Sequence, residues 1–426
     1  MKKRNGVVGF GAAALVAMLA ACGMSPQDGG GADSESIDTS GELSGSIDFQ
    51  TWSLRNEKFT PYFEGLVAAF EAEHPGTTIN WMDQPGEGYE EKLLQQVQTG
   101  ELPDVVNIPP NFAYQLNEVG ALVDLEAADA ETLGVYTTGG VDAYRFDGAQ
   151  GAYGYPWYLG TDLNWWNTEE MAAGGVDEVP TTFEEMVDAA LTMSENGALP
   201  LFSTTPGIGE LAAEGVQILQ DGEWVFNTPE AAQIIQQYAD LYQAGAMPAE
   251  TLSNDYAGNA TLYQQGQVAW TTGTASFATE LQNNAPSLVE ITETSPRIGT
   301  APLFVQGISV ASGSENPELA LAFAQYVTNN ENQVEFVKLA QGFLPGTLEA
   351  NENPESFTGV IEDPLVADAV DIAATALPDA QQLQPVEWTD AMNTFAQQQI
   401  SLALRGDITP EEALDRAVEN ATTTMG

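Results

Sequence analysis

The side chains able to do chemistry in this chain are carboxylates and aromatic rings. Among 426 residues there are 62 Asp and Glu, 8 Trp, 13 Tyr and 17 Phe, against one histidine and one cysteine. A metal centre built from His and Cys, or a nucleophile–histidine triad, has almost no material. His74 itself lies in Glu73-His-Pro-Gly76, a turn sequence. Two kinds of chemistry remain. A carboxylate pair could cleave a glycosidic bond, with Glu57, Asp162 and Glu387 as candidates. In so acidic a chain some pair near a cleft is expected by chance, so acidity alone does not argue for it. The other is recognition of a ligand with apolar faces and a polar rim, which rings and carboxylates do together.

The rings concentrate in Tyr153-Gly-Tyr-Pro-Trp-Tyr-Leu-Gly-Thr-Asp-Leu-Asn-Trp-Trp-Asn167, which carries one charge, Asp162. Pro156 and Gly160 interrupt it. The pattern predicts a strand ending near Pro156, a bend at Gly160 and a second strand from Asp162 to Asn167. That is the form of a crossover between domains beside a ligand cleft. Trp165 and Trp166 are strand neighbours facing opposite ways, so at least one is core. For Trp157 and Tyr158, beside the bend, core and site stand equally open.

Several elements must position this stretch. Ser46–Trp52 alternates as a strand, Phe59–Glu73 has a helical apolar face, and Thr77–Met82 reads as a strand. A helix over Tyr89–Thr99 stops at Gly100. An apolar strand follows at 104–108, then a helix over Phe112–Val119. Strand, helix, strand, helix, strand is an open α/β pattern, whose ligands sit at the carboxyl ends of the strands. The rule points to the loops Ser53–Lys58 and Pro109–Phe112 and to the crossover. Further on, a capping box at Thr181–Glu184 opens a helix to Asn196. An extended segment is expected at Pro200–Ser203, a helix at Ala212–Leu219 and a short exposed strand at Gly222–Phe226. Helices are expected at 229–244 (packing on Trp224) and 259–264, and strands at 267–270 and 304–311. Helices at 317–327 and 331–340, an extended turn at 343–345, and helices at 388–405 and 410–422 complete the reading.

The N-terminus reads as an export signal. Lys2, Lys3 and Arg4 precede an apolar run from Val7 to Ala21, too short to span a membrane. It ends Leu19-Ala-Ala-Cys22, which resembles a lipobox and predicts acylation of Cys22, the only cysteine. An intramolecular disulfide is therefore impossible. Residues 22–45 read as a flexible charged tether. Beyond the signal, 8 basic residues face 62 acidic ones, a net charge of −54. Such a surface repels nucleic acid and anionic headgroups.

The landmarks together resemble the carbohydrate-binding branch of the extracellular solute-binding proteins of ABC importers, the maltose-binding-protein-like family. They run from Phe70-Glu-Ala-Glu-His-Pro-Gly76 and Gly100-Glu-Leu-Pro-Asp-Val-Val106, through Tyr153–Pro156, Trp166-Asn167 and Pro180-Thr-Thr-Phe-Glu-Glu-Met186. Gly266-Gln-Val-Ala-Trp270, Asn316-Pro-Glu-Leu-Ala320 and Gly406–Leu414 follow in order. The resemblance implies an α/β, two-lobed periplasmic-binding-protein-like fold with hinge strands and a cleft between the lobes. One lobe is residues 46–158 plus 307–344. The other is 162–305 plus 345–426, with hinges at the crossover and at Phe304–Gly307. It implies a monomer that is not an enzyme, needs no cofactor or metal, and is lipid-anchored outside the cell. Its partners are a mono- or oligosaccharide, with a polyamine or peptide as the alternative solute, and the permease subunits of an importer. Structural calcium held by carboxylates stays open.

The family's sugar-contacting positions fall on Arg55, Asn56 and Glu57, on Asn111 and Phe112, on Trp157 to Asp162 with Tyr158 between, on Phe202 and on Trp388. Where many members carry a tryptophan after the Gly266–Trp270 strand, Gly273-Thr-Ala-Ser-Phe277 has none. Phe277 or Trp270 then takes that role, or the subsite is missing. The acidic hinge residue falls on Gly160, leaving Asp162 nearby.

Overall fold

The computed structural model describes residues 36–146, 151–253 and 256–425. Strands β1 (Gly45–Trp52), β2 (Thr77–Gln84) and β3 (Val105–Ile108) pair in parallel in the order β2-β1-β3. Helices cover both faces, as parallel strands require. On one face the helix Thr60–Glu73 presents Phe63, Leu66 and Phe70, and Phe49 packs between Phe63 and Phe323. On the other, buried Gln50 exchanges two amide hydrogen bonds of 3.1 Å with Gln96 of the helix Tyr89–Thr99. That helix ends on Gly100, whose left-handed backbone (φ +70°) lets its N–H reach the last carbonyls.

The remaining strands are β4 (Tyr155–Gly160), β5 (Leu163–Asn167), β6 (Leu219–Gln220), β7 (Glu223–Trp224), β8 (Trp270–Gly273), β9 (Thr292–Pro296), β10 (Phe304–Val310) and β11 (Leu344–Pro345). They complete a mixed six-stranded sheet, β11-β4-β10-β3-β1-β2, and a three-stranded antiparallel sheet, β8-β5-β9, with β6 and β7 as a hairpin. Trp165 and Trp166 do face opposite sides of the smaller sheet, and both are core. Trp165 packs on Phe277 at 5.3 Å and Trp166 on Trp270 at 6.0 Å.

Several expectations shift. The strand does not end near Pro156 but runs to Gly160, and the bend follows at Thr161-Asp162. Pro156 is tolerated because the register with β10 slips at Gln306/Gly307, a bulge where its missing N–H is not needed. The return crossing is 297–303, ahead of the expected Phe304–Gly307. Phe304 and Val305 already pair with Gly160 and Leu159 inside the six-stranded sheet. The helix expected over Ala212–Leu219 is instead Ile208–Ala213, because Glu210 accepts the Gly207 N–H at 2.8 Å and starts it early. The strand expected at 267–270 starts at Trp270. The N-cap is Thr182 rather than Thr181. Its hydroxyl accepts the Glu185 N–H, and Glu185 turns back onto Thr181.

Cys22, the export signal and the start of the tether lie outside the described residues. The end of the tether is not free. Leu43 is buried, and Ile37 packs on the core while its N–H donates to the Ala128 carbonyl. Two apolar side chains in an otherwise polar stretch suffice to dock it.

Candidate functional site

Antiparallel pairing of Gly307 with Ile108 sets the start of β10 at the same sheet edge as the carboxyl ends of β1–β3. Two walls meet this edge. The first is built from the loops after the parallel strands. Asp83, near the end of β2, accepts from Thr51 Oγ1 (2.6 Å), Leu54 N (3.0 Å) and Arg55 N (3.1 Å). These bonds hold Ser53 in a left-handed conformation. Arg55 folds back, donating to the Trp81 carbonyl at 2.8 Å with its guanidinium 4.4 Å from the Trp81 ring centre. Asn56 Oδ1 accepts the N–H groups of Lys58 and Phe59 and so shapes the entry to the next helix. Glu57 and Asn111 are exposed. Phe112 lies 6.3 Å from Tyr89, whose ring stacks on Trp52 at 5.8 Å. Half-buried Trp52 was not singled out by its sequence context. Its Nε1 is buried without a partner among the described residues, as is Asn107 Oδ1.

The second wall holds a cavity of about 390 Å³. Its central ring is Trp270, 5% exposed. Asn164 Oδ1 accepts the indole N–H at 3.1 Å, and Asn164 Nδ2 in turn donates to the Pro296 carbonyl at 2.6 Å. Asn259 ties the same strand to the 200–203 segment, donating to the Trp270 carbonyl and accepting from Ser203 N. Arg297, on the return crossing, lies 5.7 Å from the Trp270 ring. Toward the crossover the lining is Asp162, Thr272 and Phe304, the last 45% exposed, with Gln382 and Gln384 following Gln381, which bridges Pro302 on the return crossing. Away from it stand Phe183, Met186, Ile208, Ile234 and Tyr238.

Tyr238 is 6% exposed. Neither its hydroxyl nor the Arg297 guanidinium has a hydrogen-bond or ion-pair partner among the described residues. Burial pushes the Tyr238 hydroxyl well above the usual phenol range, with Glu210 adding to the effect. Partial burial also raises the Glu214 carboxyl, while Arg297 pulls it the other way.

Of the residues expected at a site, Asp162 and Trp270 line this cavity. Trp157 does not, and its reading as a cleft ring is corrected. It is 0% exposed, 4.4 Å from Phe336 and 5.9 Å from Phe63, in the core of the six-stranded sheet. Tyr158 packs on Phe336 and Phe343. Trp388 is buried between Trp224 and Phe226, because its helix begins two residues later and turns the ring inward. Trp224 thus packs on Trp388, in one core cluster with Ala231 and Ile235 of the helix Pro229–Gln243. Phe277 lies under β8 against Trp165 and Tyr263. Phe202 backs the cavity, touching Trp270 and Tyr238 at 5.7 and 5.6 Å. Arg297, Glu214, Tyr238 and Phe304 were missed. The available signal was Arg297, one of few basic residues, placed between two strands. Among the described residues no group of three or more His, Cys, Asp or Glu is placed to hold a metal.

Comparison with known proteins gives a consistent result. Residues 65–368 match the family described as bacterial extracellular solute-binding protein. A structure from Synechococcus sp. MITs9220, described as an oligosaccharide periplasmic-binding protein and solved with and without zinc, superposes with TM-score 0.78. It is 27% identical, over 89% of this chain and 98% of that one. The diacetylchitobiose-binding protein DasA of Streptomyces coelicolor is 23% identical over 418 residues, covering 92% of this chain and 91% of DasA. The GacH receptor of Streptomyces glaucescens, solved unliganded and with acarbose, superposes with TM-score 0.71. It is 20% identical, over 90% of this chain and 98% of that one.

Proposed function

The chain belongs to the bacterial extracellular solute-binding proteins, and from that premise we propose that it binds a saccharide outside the cell and delivers it to the membrane subunits of an ABC importer. The observation that carries this reading is the cavity beside the crossover. Phe304, 45% exposed, offers a ring face for the apolar face of a pyranose, and Trp270, 5% exposed, lines the same cavity. Thr272, Arg297 and Tyr238 offer polar groups that the protein itself does not use. Relatives bind diacetylchitobiose and acarbose by name, which supports the class of ligand. Two rings and several hydrogen bonds, less the cost of association, reach about −8 kcal/mol, a micromolar affinity.

Two lobes, one on the six-stranded sheet with β10 and β11 and one on the three-stranded sheet, close on the ligand about the crossings at 161–162 and 297–303. Acylation of Cys22 tethers the protein to the outer face of the membrane, and the protein does no chemistry on its ligand. A thermal-shift screen across sugars, polyamines and peptides tests the ligand class. Stabilisation by polyamines or peptides with none by sugars would overturn it. Oligosaccharides incubated with the protein should show no new reducing ends. Replacing Cys22 with Ala should release the protein from the membrane fraction, and its retention there would sink the anchor.

A further inference from the structure

The cavity is chemically lopsided, and its two ends ask for different parts of a ligand. The ring contacts Trp270–Phe202 (5.7 Å) and Phe202–Tyr238 (5.6 Å) set Tyr238 two rings away from the Trp270 platform. Tyr238 stacks on Phe183 at 5.4 Å and 23°. Met186 follows Phe183 by three residues on its helix, and Ile234 precedes Tyr238 by four on its own, so both fall on these rings' faces. The walls of this end are therefore carbon. Its polar groups include the Tyr238 hydroxyl, the Arg297 guanidinium and the Glu214 carboxyl, with Thr204, Thr205, Asn393 and Gln397 elsewhere in the lining. Glu214 lies close to the return crossing, since a β-carbon on Gly299 would fall 3.0 Å from Glu214 Oε1. Glu210 is already occupied by the Gly207 N–H.

These groups offer donors and an acceptor side by side. A lone charge would meet one partner of its own sign, Arg297 for an ammonium and Glu214 with Glu210 for a carboxylate, so a neutral group that both donates and accepts fits best. A plain hydroxyl would leave the carbon walls unfilled. A secondary amide matches all three features. Its carbonyl accepts from Tyr238 or Arg297, its N–H donates to Glu214, and its methyl fills the space between Met186, Ile208 and Ile234. We propose that this end of the cavity is a subsite for an acetamido group, so that the ligand is an N-acetylated amino sugar, bound with its ring on Trp270 and its acyl group at Tyr238. The inference rests on the saccharide reading above and narrows it.

Calorimetric titration of the purified chain separates the two. The probes are the β-1,4 disaccharide of N-acetylglucosamine, its fully de-acetylated counterpart, cellobiose and maltose. The acetylated disaccharide should bind at least about tenfold tighter than the other three, the worth of one to two hydrogen bonds with their desolvated partners. Cellobiose or maltose binding as tightly would overturn the acetamido subsite and leave saccharide binding intact. Binding of none of the four would overturn both. Tyr238→Phe gives an independent check, because the lost hydroxyl bonds nothing in the empty protein and the melting temperature should not move. It should weaken the acetylated disaccharide about five- to tenfold and so narrow its advantage over cellobiose and maltose. Equal weakening of all, or of none, places the acyl group elsewhere.

Discussion

The two walls at the sheet edge differ in what their charged and polar groups already do, although Trp52 Nε1 and Asn107 Oδ1 on the first stay unpartnered among the described residues. On the wall after the parallel strands, Arg55, Asn56 and Asp83 are engaged in shaping the loop that carries them. On the cavity wall, the Tyr238 hydroxyl and the Arg297 guanidinium bond to nothing among the described residues. Both walls lie where an open α/β sheet presents ligands. Position at a strand end therefore does not make a ligand contact. A short loop between a strand and a helix needs its own side chains to hold its backbone. The groups left for a ligand are those the fold does not require.

The largest test of this contrast sets a core ring against a cavity ring. Trp157→Ala removes a fully buried ring from between Phe63, Phe336 and Tyr158, and should cost about 3–5 kcal/mol of stability. Its folded fraction should bind sugar normally. Chemical denaturation beside titration reads both quantities. Normal stability with lost affinity would return Trp157 to the site. Next comes Asp83→Ala, which strips three hydrogen bonds from the 51–55 segment and should cost about 2–3 kcal/mol. If Asp83→Ala instead left stability untouched and weakened binding, the first wall would not be committed as described. Phe304→Ala reverses the pattern. With 45% of its surface exposed, the ring should matter little to melting, while affinity falls about three- to tenfold through lost stacking. Unchanged affinity would remove Phe304 from the binding surface.

Much of the fold was legible because it follows from periodicity. The parallel strands, the helices between them and the opposite facing of Trp165 and Trp166 all come from patterns of period two or 3.6. Trp157 was not legible, because a ring beside a bend can turn either way, and the choice depends on Phe336, far along the chain. The same holds for the cavity. Tyr238 lies on an ordinary amphipathic helix, and nothing local distinguishes its hydroxyl from a solvated one. Only the arrival of Arg297 and Glu214 from other segments sets it apart.

The smallest effect tests whether Glu214 is uncommitted. Burial raises its carboxyl above the ordinary value of 4.5, and Arg297 only partly offsets this. In the unfolded chain the proton leaves near the ordinary value; in the folded chain it leaves later. Through that window the folded state holds more protons, so this group's contribution to stability falls as pH rises and stays lower above it. Glu214→Gln removes the contribution. The melting difference, variant minus parent, should therefore grow in the variant's favour as pH rises from below 4.5 into the neutral range. The other carboxylates give both proteins the same background, which the difference cancels. A difference of opposite sign would mean that Arg297 already satisfies the carboxylate and leaves it nothing to offer. An amide N–H donated to Glu214 would favour the ionised form. Binding an acetamido sugar within the window should then release protons, visible as a binding enthalpy that depends on the buffer's ionisation enthalpy. The same titration of Glu214→Gln should show no such dependence, whereas proton release that survives the substitution would assign it to another group.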